Sequence, residues 1–110
     1  MKQPIQIRQG DVLLVRIDND DTEGYMPVPR DAGRVVLAYG EATGHAHAIY
    51  DDGATLLRRG ANDNDRILKI EGNVVYLRHE EHTKHELPPG LYRVVRQREY
   101  SADEIRRVAD

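Results

Sequence analysis

The sequence predicts a small, mainly β protein: one domain over residues 1–110, folded as a β barrel or sandwich with a short C-terminal helix. Three observations predict it. Four or more short apolar runs are separated by clusters of Gly, Pro, Asp and Asn, as in small all-β domains. Helical spacing is confined to the tail from Ser101 onward. A chain of 110 residues suffices for one core and leaves no room for a second.

The first run, DVLLVRI at residues 11–17, alternates Leu13, Val15 and Ile17 on one face with Val12, Leu14 and Arg16 on the other. Apolar residues on both faces point to a central strand. Residues 18–33 are rich in Asp, Pro and Gly and read as a long loop, of a length to act as a lid or to serve as a connection. Residues 34–40 and 44–50 follow as strands, joined as a hairpin across GEATG. Residues 54–60 form a weaker strand candidate, and residues 61–66 a turn. Residues 67–70 and 74–79 flank the compact turn EGN and are expected to pair as a hairpin. After the breaker LPPG at 87–90, residues 91–100 are the longest strand candidate, with Val94, Arg96, Arg98 and Tyr100 on one face. Ser101 and Glu104 form a capping box for the terminal helix, where Ile105 and Val108 stand three apart.

Composition narrows the chemistry. There is no Cys, which removes disulfides, thiolate ligands and thiol nucleophiles, and leaves imidazole, carboxylate, phenolate or carbonyl groups to hold any metal. Net charge is −3, with acids and bases interleaved, so composition neither demands nor excludes a nucleic-acid partner. No apolar run approaches the roughly 20 residues of a membrane span, and the N-terminal residues lack a signal-peptide stretch. The expectation is a soluble cytoplasmic protein with no membrane partner.

The histidines carry the functional signal. In GHAHAIY, His45 and His47 lie on one face of a strand, about 7 Å apart at Cα, and can converge on one ion or one substrate atom. A second cluster, RHEEHTKHE, holds His79 at a strand end with His82 and His85 at three-residue intervals among acids. His85, beside Lys84, reads as a solvated loop residue. If the strands are neighbours, His45, His47, His79 and His82 assemble an imidazole site suited to a divalent transition metal: Zn, Mn, Fe, Ni or Cu. A three-ligand version leaves a position for water and hence for hydrolysis, with Glu80 or Glu81 moving protons.

Three functions remain open. The first is a metal-binding protein, by extension a metal-dependent hydrolase or nuclease acting on a small molecule or RNA. The second is a metal-independent ribonuclease in which paired histidines act as general base and acid, assisted by Arg98 and Tyr100. The third is a non-catalytic binding or assembly module, which a homo-oligomer would suit. Arg96 and Arg98 read equally as charges that protect an edge strand.

The motifs QGDVLLVRI, GEATGHAHAI, LRHEEH and LPPGLYRVVRQREY resemble a group of small uncharacterised proteins of bacteria and their phages, over most of the chain. The resemblance implies one folded unit and no particular activity. A looser likeness is to the cupin superfamily, through Gly40 or Gly44 with His45 and His47, and through Pro88-Pro89-Gly90. No Glu follows His47 at the cupin interval, and Arg93 stands where the second cupin motif places a histidine.

Overall fold

The computed structural model describes residues 6–18, 22–40, 44–61 and 65–96. The terminal helix expected from Ser101, together with Arg98 and Tyr100, lies outside the described residues. In chain order the strands are β1 (Gln6–Gln9), β2 (Val12–Ile17), β3 (Tyr25–Pro27), β4 (Val35–Tyr39), β5 (Ala46–Ile49), β6 (Ala54–Arg59), β7 (Arg66–Ile70), β8 (Val75–Arg78), β9 (His85–Leu87) and β10 (Gly90–Arg96). Among the described residues no helix occurs, and none is long and apolar enough to cross a membrane.

Two antiparallel sheets result. One has six strands in the order β1-β2-β10-β7-β6-β3, the other four in the order β4-β5-β8-β9. The β1 and β3 edges of the first sheet and the β4 and β9 edges of the second stay apart, so the described strands do not close into a barrel. A single core lies between the sheets. Val12, Leu14, Leu56, Leu68, Tyr92 and Val94 enter it from the larger one, and Val35, Leu37, Ile49, Val75, Leu77 and Leu87 from the smaller. Burying one such aliphatic side chain contributes about 1.5–3 kcal/mol. Tyr92, also wholly buried, keeps its hydroxyl satisfied by donating to Pro88 O at 2.6 Å.

β2 is central, as its two apolar faces predict: it pairs β1 on one side and β10 on the other. β10 is likewise an inner strand along Gly90–Arg93, where β7 pairs its second side, while Val94–Arg96 are paired with β2 alone. β4 and β5 pair as expected across GEATG, with a register shift between Val36 and Ala38.

The hairpin expected between residues 67–70 and 74–79 does not form. β7 already has β6 and β10 on its two edges, and β8 has β5 and β9, so the EGN turn carries the chain from one sheet to the other. That crossing needs close packing: Glu71 N donates to Gly53 O at 2.8 Å, and a Cβ on Gly53 would lie 2.5 Å from Glu71 O. Part of the long 18–33 loop is itself structured. β3 pairs β6, Val28 N donates to Leu56 O at 2.7 Å, and Arg30 donates to Asp51 O and Ala54 O. These bonds tie the segment to the sheet edge opposite β1, as a connection.

Candidate metal centre

Three segments meet at one end of the two sheets: the β1–β2 turn, the start of β5, and the connection from His79 to Lys84 between β8 and β9. The turn is a two-residue hairpin loop, because Gln9 pairs Val12 and leaves Gly10 and Asp11 between them. Gly10 has φ +59°, which suits glycine at the first position of a type II′ turn. Its missing side chain also makes room, since a Cβ there would stand 2.8 Å from His82 Nε2 and 3.1 Å from His47 Cε1.

The structure brings together the four histidines singled out in the sequence. The His79 ring is central, with centroids 5.6 Å from His45, 4.3 Å from His47 and 4.6 Å from His82. His47 and His82 stack at 5.8 Å. Exposure grades from His47, 2% exposed, through half-buried His45 and His79 to exposed His82. His85 is in β9, half-buried and paired with Leu77, and is not the loop residue expected.

Hydrogen bonds fix the state of His47. Gln9, 1% exposed, uses both amide hydrogens: Nε2 donates to Leu77 O and to Thr83 O, each at 3.0 Å. Its Oε1 therefore faces His47 Nδ1 at 2.8 Å, and Nδ1 must be the donor. Turning the amide over would set Oε1 against two carbonyl oxygens. The other ring nitrogen, Nε2, points at Asp11 Oδ1, 3.3 Å away. Burial, with the His79 and His82 imidazoles nearby, lowers the His47 pKa to about 4 despite Asp11, so the ring is neutral at pH 7 and Nε2 carries a lone pair. Asp11 is held from its other side by Arg96, with Nε 3.7 Å from Oδ2, and Arg96 in turn donates to Tyr39 O at 3.0 Å.

The donor atoms that converge most closely belong to a different subset. Among the described residues, one ligand atom each from His45, His79 and Glu80 lie within 4.8 Å of one another. Glu80 Oε1 accepts from Ala46 N at 2.9 Å, and this bond, with the imidazoles of His45 and His79, holds its carboxyl below the usual range. Glu81 is exposed, with Oε2 3.9 Å from His45 Nδ1, while its backbone N–H donates to His79 Nδ1 at 3.0 Å. Beside these groups an open depression of about 500 Å³ is lined by Ala46, Tyr50, Arg78, His79 and Glu80. Arg78, part of this lining, lies over the Tyr76 ring at 5.6 Å, as Lys84 does at 4.9 Å.

Sequence reasoning missed Gln9 and Asp11. A signal was present: Gln9 alternates with Ile7 and so shares its inward face, and a polar residue there needs a buried partner. The imidazole-rich cluster with an adjoining carboxylate, on two antiparallel sheets, defines a β protein with a candidate metal centre. The chain belongs to the family of a domain of unknown function, DUF8820, whose model matches residues 8–97. Gln9, Asp11, the four clustered histidines, Glu80 and Arg96 all fall within that match, whereas Arg98 and Tyr100 fall beyond it. No curated protein and no solved structure matches the chain.

Proposed function

We propose that the chain is a metal-binding protein whose centre, built on His45, His79 and Glu80, serves a metal-dependent hydrolase. The observation that carries this reading is the convergence of those three donor atoms within 4.8 Å at the rim of an open depression. Two imidazoles and a carboxylate suit a divalent transition ion, with Zn the first candidate, and three protein ligands leave a position for an activated water. Glu81, exposed beside His45, is placed to take up a proton. Arg78, in the lining of the depression, supplies a cation that favours an anionic substrate, a small phosphoester or RNA among them.

Ligation has an identifiable cost. Neutral His79 accepts from Glu81 N–H at Nδ1, and binding an ion through either ring nitrogen breaks that contact. One exposed hydrogen bond is lost, worth about 1 kcal/mol, which metal binding readily offsets.

The metal-independent ribonuclease reading is weakened by the burial of His47 between Gln9 and Asp11, which keeps it from a phosphodiester. The test is elemental analysis of untagged protein purified without added metal or chelator, for the wild type and a His45→Ala/Glu80→Ala variant. About one ion per chain in the wild type, missing in the variant, is expected. Metal-free wild type that also fails to take up Zn, Mn, Fe, Ni or Cu refutes the reading. RNA cleavage that persists in chelator would then favour the ribonuclease, and partner binding indifferent to the histidines an assembly module.

A further inference from the structure

We propose that the depression beside His79 and Glu80 binds a nucleotide, stacking its base on Tyr50 and holding its phosphate with Arg78. The proposal rests on reading that depression as the substrate side of the metal centre, and it names the class of substrate. The shape of the site comes from the register. Ala46, Ala48 and Tyr50 follow one another on the face of β5 turned away from the core residue Ile49, and Arg78 stands across from Ala48 on β8. Two alanines leave the middle of that face low, between Tyr50 at one end and Glu80, bound to Ala46 N, at the other. The resulting space of about 500 Å³ is within the range of small-molecule sites, about 300–1,000 Å³.

Two groups on its walls are unengaged. The other described tyrosines have work within the fold: Tyr25 donates to Asp65, Tyr39 to Asp31 and Tyr92 to Pro88 O, and the Tyr76 ring is covered by Arg78 and Lys84. Tyr50, 53% exposed, has no hydrogen bond, ring or cation against it among the described residues. Among those residues the Arg78 guanidinium has no carboxylate partner either, whereas Arg59 and Arg93 face Asp65 and Arg96 faces Asp11. An open aromatic ring beside a guanidinium suits a ligand that is aromatic at one end and anionic further along. Length selects among such ligands. From Ala46 to Tyr50 the chain runs about 13 Å, too far for an aromatic carboxylate and enough for base, sugar and phosphate in line. The phosphate then lies between Arg78 and the ion of the metal centre, and stacking on Tyr50 accepts any base, since each has a π face.

The test is calorimetric titration of AMP, ribose phosphate and pentaadenylate into wild type, Tyr50→Ala, Tyr50→Phe and Arg78→Ala, each with and without one equivalent of Zn²⁺. AMP should bind the wild type about 5–150-fold more tightly than ribose phosphate, the worth of one base stacked on an aromatic side chain. Tyr50→Ala should abolish that preference and Tyr50→Phe should keep it, while Arg78→Ala should weaken both ligands alike. Pentaadenylate bound more tightly than AMP makes an RNA strand the source of the nucleotide, and equal affinity makes it the free one. The proposal is overturned if AMP and ribose phosphate bind alike, if the preference survives in Tyr50→Ala, or if Arg78→Ala binds as the wild type does. Failure of both AMP and pentaadenylate to bind, with or without zinc, also overturns it. Zinc uptake with no preference for AMP refutes the nucleotide site and leaves the metal centre standing. A Tyr50-dependent preference in protein that takes up no zinc refutes the centre and leaves the nucleotide site.

Discussion

Replacing Gln9 by Ala should loosen the whole end of the molecule where the histidines gather. Three bonds depend on this one side chain: from Nε2 to Leu77 O and Thr83 O, and from His47 Nδ1 to Oε1. The Leu77 and His47 partners are buried and the Thr83 carbonyl is partly so, which leaves two fully orphaned groups in the variant. Each costs about 1–3 kcal/mol. Water entering the vacated space returns part of that, which sets the expected loss at about 3 kcal/mol. In urea, with an m-value of about 1.5 kcal/mol/M, the midpoint should fall by about 2 M. Gln9→Glu, of the same shape but unable to donate, should do no better than Ala at neutral pH. A midpoint shift below about 0.5 M for Gln9→Ala would show that the bonds described here do not hold the two sheets together.

Three further outcomes are expected. His47 titrates at about 4 when folded against 6.5 when unfolded, so between those values the unfolded chain binds more protons; stability therefore falls as pH drops from 6.5 to 4, by up to about 3 kcal/mol. Urea melts across that range should show the loss, and His47→Gln should flatten it. Gly53→Ala should destabilise by at least about 2 kcal/mol in the same assay, because φ is +93° and the new Cβ would meet Glu71 O at 2.5 Å. On addition of one equivalent of zinc, the Glu81 amide resonance should move strongly, since ligation of His79 releases its hydrogen bond; an unmoved Glu81 amide argues against His79 as a ligand.

Strands with their own apolar runs were legible in the sequence. Residues 11–17, 34–40, 44–50 and 54–60 match β2, β4, β5 and β6 because each is a short apolar run bounded by turn residues, although only in β2 do the buried residues repeat with period two. β1, β3 and β9 were not legible. They are three or four residues long and mostly exposed or half-buried, and each pairs along a neighbouring strand, so too little local pattern marks them beyond the Ile7 and Gln9 alternation in β1. Pairing partners were hidden for a related reason: the EGN turn looks like a hairpin until the edges of β7 are known to be taken. The meeting of His45, His47, His79 and His82 could be anticipated because chemistry marks them. The parts of Gln9 and Asp11 were not visible, since they meet His47 only across the fold.

The place of β10 has a consequence for how the chain is made. It lies between β2 and β7, so the last described strand is the middle of the larger sheet. During synthesis the β1–β2 and β6–β7 hairpins can form early, yet they stay two separate pieces with open edges until β10 has left the ribosome. Truncation within residues 90–96 should therefore yield no shortened native fold, only exposed strand edges. Cooperative folding of the described sheets waits for β10.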